Sequence, residues 1–134
     1  MKQAKLPPMR FESTDGYPIY VGRNNRQNDE LTFRLARKDD IWCHASKVHG
    51  SHVIISCGGT TPPDNTVTQA AQLAAYYAET GGGQNIPVDV TAVKQVKKIP
   101  NGKPGMVIYH TYRTVIANPY PDIVVDALNA ETKE

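Results

Sequence analysis

Residues 21–56 read "VGRNNRQNDELTFRLARKDDIWCHASKVHGSHVIIS", and this stretch sets a helix among strands. Asn25 to Lys38 places Leu31 and Leu35 on one face, which predicts an amphipathic helix. Tryptophan, valine and isoleucine then dominate two short segments, and such residues favour β-structure. These segments, separated by a turn at His49-Gly50, are predicted as strands at 40–46 and 51–56.

The N-terminal side of this stretch predicts a β-hairpin. Asp15-Gly16 is a hairpin-type turn between two short segments, 11–13 and 17–21, that contain aromatic and β-branched residues.

The C-terminal side predicts a second helix and more strands. The helix runs from Thr66 to about Thr80 and is followed by three glycines. Pro87 to Ile99 alternates as a strand, with a break near Lys94 that marks a bulge or a sheet edge. Residues 106–117 are predicted as β again, with a hairpin around 110–113. The order β-β-α-β-β-α-β-β predicts an α+β fold, a largely antiparallel β-sheet with two main helices packed on it.

Length and composition fit one domain in a soluble protein. The chain has 134 residues, of which 40% are hydrophobic and 21% charged. No apolar run approaches the ~20 residues that cross a bilayer, and the start lacks the apolar region of a secretion signal. We therefore expect a cytoplasmic protein without a membrane partner, whose two cysteines are free thiols. The expected organisation is a domain at 11–119, an extension at 1–10 and an acidic, loosely ordered tail at 120–134.

Catalytic and metal-binding patterns find no support. The histidines and cysteines lack the spacing of a metal site, and neither a nucleophile elbow nor a P-loop occurs. We expect no catalytic residues, no metal and no cofactor, and thus a binding module rather than an enzyme.

Nucleic-acid binding has more support, from two basic clusters on connecting segments. Arg23 and Arg26 lie where a strand meets a helix, and arginine forks suit phosphate oxygens. The amides around them either contact ribose and base edges or satisfy the turn backbone. The second cluster, which alternatively protects a sheet edge from aggregation, consists of Lys94, Lys97, Lys98 and Lys103.

Trp42 and His44, which follow the first basic cluster in the sequence, each have a structural and an RNA-binding interpretation. Trp42 suits core packing more than base stacking. His44 can bind RNA or its own backbone. The prediction that unites these residues is that both basic clusters converge on one exposed side of the domain.

The chain resembles the NFACT-R domain, the carboxy-terminal domain of fibronectin/fibrinogen-binding proteins. The shared motifs are D-G, V-G-R-N, Q-N-D-x-L-T, D-x-W-x-H, G-S-H-V and a later K-x-V-K-K with K-P-G. They start here at Asp15, Val21, Gln27, Asp40, Gly50, Lys94 and Lys103.

The resemblance implies an RNA-binding module that contacts tRNA or large-subunit rRNA, with the large ribosomal subunit as a partner, in quality control of stalled nascent chains. The alternative is an adhesin-type module that binds fibronectin. The other domains of the family are not matched, so we do not expect this chain alone to extend nascent chains. The predicted RNA-binding residues are Arg23, Asn24, Arg26, Gln27, Asn28, Trp42, His44, His52, Lys94, Lys97, Lys98 and Lys103.

Overall fold

The computed structural model describes residues 6–120 and Ile123. Within this part, a six-stranded sheet has the order β1-β2-β4-β3-β5-β8, and every neighbouring pair is antiparallel. A separate two-stranded sheet pairs β6 with β7. The predicted α+β class is confirmed. The strands are β1 Met9–Glu12, β2 Pro18–Val21, β3 Ile41–Ala45, β4 Val53–Ile55, β5 Ile86–Ala92, β6 Lys97–Lys98, β7 Val107–Ile108 and β8 Arg113–Ala117.

The first helix, α1, spans Asn25–Glu30 and continues into a π-helical turn at Leu31–Leu35. The Asn24 side chain caps its start by accepting a hydrogen bond from the Gln27 backbone N–H at 2.8 Å. The turn is wider than an α-turn, since its closing bond joins residues five apart. Leu35 is 56% exposed and Leu31 is 2% exposed, and both line one apolar cavity. The two leucines thus border the same cavity, although only Leu31 is buried.

The second helix, α2, spans Asp64–Tyr76 and covers one face of the sheet. It starts two residues before the predicted Thr66. The Thr66 hydroxyl donates to Asp15 Oδ2 at 2.9 Å and lies 2.8 Å from the Ser13 hydroxyl, so it joins the first hairpin to the helix. The buried Thr66 side chain thus links α2 to the turn between β1 and β2.

The two faces of the sheet carry separate cores because side chains alternate along each strand. The face under α2, called the α2 face, buries apolar residues such as Ile19, Val53 and Leu73. The opposite face, called the groove face, buries Trp42 and Ile54 beneath α1 and its π-turn.

The predicted strand from Pro87 to Ile99 is two strands in two sheets. β5 ends at Ala92, and a 3₁₀ turn at Val93–Gln95 redirects the chain where the alternation breaks. β6 then pairs with β7, forming a hairpin, residues 97–108, that stands over the groove face. The hairpin predicted around 110–113 is wrong, because β7 pairs with β6 and β8 pairs with β5.

The ends of the domain are described only in part. β1 begins at Met9, inside the stretch predicted as an extension. The predicted acidic tail lies outside the described residues, apart from Tyr120 and the buried Ile123, which packs on the α2-face core. Among the helices of the described part, none has the length and apolar character to cross a bilayer.

Candidate nucleic-acid interface

Three adjoining cavities form one groove across the end of the domain, and we call it the groove throughout. The first, of about 690 Å³, lies at Arg23 and Arg26. The second, of about 350 Å³, shares Arg23 with the first and reaches His49. The third, of about 400 Å³, shares His49 with the second and extends between residues 47–49 and the tip of the 97–108 hairpin. The α1 start, the β3–β4 loop and the hairpin tip therefore converge.

Hydrogen bonds join Arg23 to Gln27 at the α1 start and both residues to the backbone of residues 6–7. The Arg23 backbone N–H donates to Gln27 Oε1 at 2.7 Å, and Gln27 Nε2 donates to the Leu6 carbonyl at 2.9 Å. Arg23 Nε donates to the Pro7 carbonyl at 2.7 Å. Arginine has five N–H donors, so the guanidinium keeps donors that face solvent. Gln27 and Asn24 are thus committed to the loop, whereas Arg23 and Arg26 present charge to the groove.

Asn28 lies beneath the groove and joins α1 to β4. Its Oδ1 accepts from the His52 backbone N–H at 3.0 Å, and its Nδ2 donates to the Gly50 carbonyl at 3.5 Å. It is only 3% exposed, so it supports the loops that line the groove. Gly22 makes room for it, because a Cβ there would lie 1.9 Å from Asn28 Oδ1.

His52 is the centre of a buried polar network. Trp42 Nε1, which can only donate, donates to His52 Nδ1 at 3.2 Å, and the Thr32 hydroxyl lies 2.8 Å from the same nitrogen. Nδ1 is therefore the acceptor, and Nε2 carries the proton that it donates to the Gly105 carbonyl at 3.1 Å. Burial, reinforced by nearby His44, lowers the pKa of His52 to about 3.

Trp42 and His52 are closed to direct contact with a ligand in this conformation, with 0% and 1% of their surface exposed. His44 is half-buried and borders the third cavity. Its ring stacks on Trp42 at 5.6 Å with an interplanar angle of 4°, and its Nδ1–H donates to the Ala45 carbonyl at 2.7 Å. Burial lowers the pKa of His44.

The four predicted lysines separate into different environments. Lys103 is exposed and lines the third cavity. Lys94 forms an ion pair with Asp39 at 3.6 Å, and Lys98 pairs with Asp29. Lys97 is exposed on β6. The structure differs from the predicted second basic cluster because two of its four lysines form ion pairs with carboxylates of the domain.

Asp29 latches the hairpin onto α1. Its Oδ1 accepts from the Gly105 backbone N–H at 3.1 Å, while Oδ2 meets Lys98. Burial alone raises the pKa of Asp29, but the bonds from Lys98 and Gly105 outweigh it and lower the pKa overall. Lys98 thus takes part in positioning the hairpin. Gly105 is held at both its backbone groups, because its N–H donates to Asp29 and its carbonyl accepts from His52.

Two groove residues escaped the sequence reasoning, Lys47 and His49. Both are exposed, and both lie in the loop between β3 and β4. β2 and β4 are antiparallel with Val21 opposite Val53, so this loop must lie beside the Arg23 loop. The sequence could have indicated these two residues. If the predicted strands 17–21 and 51–56 pair antiparallel, the loop after the first strand lies beside the loop before the second.

The charge along the groove is mainly positive. Arg23, Arg26, Lys47 and Lys103 line it, and in the described part of the chain none of them forms an ion pair. Glu30 and Glu79 lie in the first two cavities, whereas no carboxylate is found among the described residues that line the third. Residues 6–120 and Ile123 also contain no cluster of three histidine, cysteine or carboxylate side chains arranged to hold a metal.

Comparison with known proteins gives consistent matches. The family described as "NFACT protein RNA binding domain" matches residues 8–111. The Rqc2 homolog RqcH of Bacillus subtilis is 46% identical over 116 residues, which are 86% of this chain and 20% of the relative. That of Streptococcus pneumoniae serotype 2 is 45% identical over 119 residues, 88% of this chain and 21% of the relative. The chain thus spans about a fifth of the length of these curated relatives. The solved C-terminal part of the fibronectin/fibrinogen-binding protein from Streptococcus suis superposes with a TM-score of 0.87 at 39% identity, covering 92% of this chain and 50% of that one.

Proposed function

This chain belongs to the NFACT protein RNA-binding domain family, and we propose that it binds RNA through the groove. The observation that carries the proposal is the convergence of Arg23, Arg26, Lys47 and Lys103, four cations without an ion-pair partner among the described residues. Phosphate contacts supply most of the affinity of such surfaces and are sequence-independent. The partners that we propose are tRNA and large-subunit rRNA, on or near the large ribosomal subunit, in the cytoplasm.

We propose binding rather than catalysis. The buried imidazole of His52 is engaged on both nitrogens by Trp42, Thr32 and Gly105. The His44 ring stacks on Trp42 and donates to its neighbour's carbonyl. Both rings thus contribute to the fold that shapes the groove.

Fluorescence anisotropy with a labelled tRNA across a salt series tests the proposal. If four phosphates are neutralised, a plot of log affinity against log salt should have a slope of about −3, because each phosphate contact on single-stranded segments contributes ~0.7 to the slope. Arg26→Gln/Lys103→Gln removes a cation from each end of the groove, so the slope should become shallower by about 1.4.

The matched control is Lys94→Gln/Lys97→Gln, which removes the same charge from two exposed sites outside the groove lining. It should leave the slope almost unchanged. Equal slopes for the two double variants would reject the groove as the binding surface, and no measurable binding by the unaltered chain would reject RNA binding itself.

Fibronectin binding is the second candidate, and two observations favour it. The structural neighbour carries that name. This chain also has an apolar cavity of about 430 Å³ at the exposed Leu35, which shares Pro7 and Pro8 with the first cavity of the groove. A protein contact of this kind depends on apolar burial and survives moderate salt, whereas the phosphate contacts weaken. Binding of the chain to immobilised fibronectin, measured in the same salt series, separates the two candidates. A fibronectin site at this cavity should hold its affinity at moderate salt and lose it in Leu35→Ser.

A further inference from the structure

The third cavity of the groove differs chemically from the other two. Lys47 and Lys103 lie on its rim, but apolar side chains form much of its wall. Val48 is 37% exposed and Met106 is 46% exposed, and they lie on opposite elements, the β3–β4 loop and the hairpin. A surface that held only the sugar–phosphate backbone would gain nothing from exposed apolar walls, because phosphate contacts are polar.

The walls of this cavity are held in place from several directions. Gly105, at the hairpin tip, binds Asp29 Oδ1 through its N–H and His52 Nε2 through its carbonyl. A Cβ on Gly105 would lie 3.3 Å from the Asn25 carbonyl, so the tip also packs directly on α1. Beneath the floor, Trp42 packs against His44 and Tyr109, with ring centroids 5.6 and 4.8 Å away. The cavity is therefore formed before any ligand arrives, which lowers the entropic cost of binding.

We propose, building on the RNA-binding role above, that this cavity takes one unpaired nucleotide, with its base between Val48 and Met106 and its flanking phosphates against Lys47 and Lys103. The cavity volume of about 400 Å³ lies within the ~300–1,000 Å³ range of sites for small organic groups. A paired base has both faces stacked and its edge occupied, so only an unpaired base can enter. The groove then selects single-stranded segments, loops or ends of RNA over continuous duplex.

The rest of the groove fits this assignment. From the third cavity, the strand can pass Asn25 and His49 towards Arg23 and Arg26, which continue the phosphate path. Unpaired bases splayed from a backbone that lies on cations are the usual target of sequence-tolerant RNA recognition. Glu79 in the second cavity would repel a misplaced phosphate and favours a path along the arginines.

Anisotropy with three RNA probes tests the inference on the complete chain. The probes are a short unstructured strand, the blunt duplex formed with its complement, and the same duplex with one unpaired 3′ nucleotide. The strand and the extended duplex should bind about tenfold more tightly than the blunt duplex, which corresponds to about 55 Å² of apolar surface buried by the base at ~25 cal/mol per Å². Val48→Ser/Met106→Ser should remove most of this preference and leave blunt-duplex affinity and its salt slope unchanged. The control is Ile116→Ser, an exposed apolar residue on β8 outside the cavity lining.

A second readout needs no variant. With 2-aminopurine as the unpaired nucleotide, emission should change on binding, and competition with unlabelled strand should reverse the change. Equal affinity for all three probes with no emission change would overturn the inference while RNA binding stands. Failure to bind any of the probes would overturn the inference together with the proposed function.

Discussion

The two faces of the central sheet are stabilised in different ways. On the α2 face, helix α2 covers an apolar core in which Ile19, Val53 and Leu73 have no exposed surface. On the groove face, short elements are held by directional bonds through Asn28, Asp29 and His52. Apolar packing tolerates adjustment of shape, whereas a buried hydrogen-bond network fails when one partner is displaced. The face that we propose to bind RNA is therefore the one whose shape depends on directional hydrogen bonds.

The largest expected effect is at Gly22. Gly22→Val should unfold or distort the domain, because even a Cβ there would lie 1.9 Å from Asn28 Oδ1 and would break the bond to the His52 backbone. The buried groups then lose their partners, each at about 1–3 kcal/mol. The matched change on the α2 face, Leu73→Met, should cost less than about 1.5 kcal/mol. Urea unfolding followed by circular dichroism measures both, and a native-like melt of Gly22→Val would contradict the comparison.

A smaller effect should appear on acidification. His52 has a pKa of about 3 in the folded chain against 6.5 for an unperturbed imidazole, so the unfolded state binds the extra proton first. Stability is complete above about pH 6.5 and is lost as the pH falls towards 3, at up to ~1.4 kcal/mol per pH unit. The lowered pKa of His44 acts in the same direction.

His52→Asn should be less stable at neutral pH but should show a shallower loss between these pH values. His110→Gln, which removes an exposed imidazole, serves as the control and should keep the slope of the unaltered chain. Urea titrations at several pH values measure how the free energy of unfolding changes with pH. If His52→Asn showed the same dependence as the unaltered chain, protonation of His52 would not be the cause of the acid sensitivity.

The smallest effect separates the two lysine ion pairs. Asp29→Asn weakens a latch whose carboxylate is mostly buried and also holds Gly105, so it should cost about 1 kcal/mol. Asp39→Asn breaks a pair in which both side chains are more than half exposed, and it should change stability by less than about 0.5 kcal/mol. Thermal melts at low and moderate salt measure the difference, and equal losses would show that the hairpin latch is only a surface pair.

Much of the fold was predictable because local patterns were strong. The β-favouring residues of 40–46 and the turn at Asp15-Gly16 indicated strands, and the break near Lys94 marked the end of β5. The π-turn was not predictable, since the apolar spacing of Asn25 to Lys38 fits an ordinary helix of 3.6 residues per turn equally well. The assumed 110–113 hairpin failed because sequential strands were taken to pair, while β8 returns to β5.

The candidate site was predictable at α1 but not across the groove. The residue types at Arg23 and Arg26 indicated phosphate binding, and both line the groove. Nothing local distinguishes Lys98, paired with Asp29, from Lys103, which has no ion pair in the described structure. Their difference depends on carboxylates distant in sequence.

The sequence by itself determined the family, most of the helices and strands, and the chemistry of the loops, because composition, spacing and turn residues act over a few positions. Only the tertiary structure decided which cations meet. Strand order places the β3–β4 loop, which carries Lys47, beside the loop that carries Arg23, and the latch at Gly105 places Lys103 in the same cavity as Lys47. The physical reason is that charge–charge partnership is a property of distance in space, and antiparallel pairing sets those distances between segments far apart along the chain.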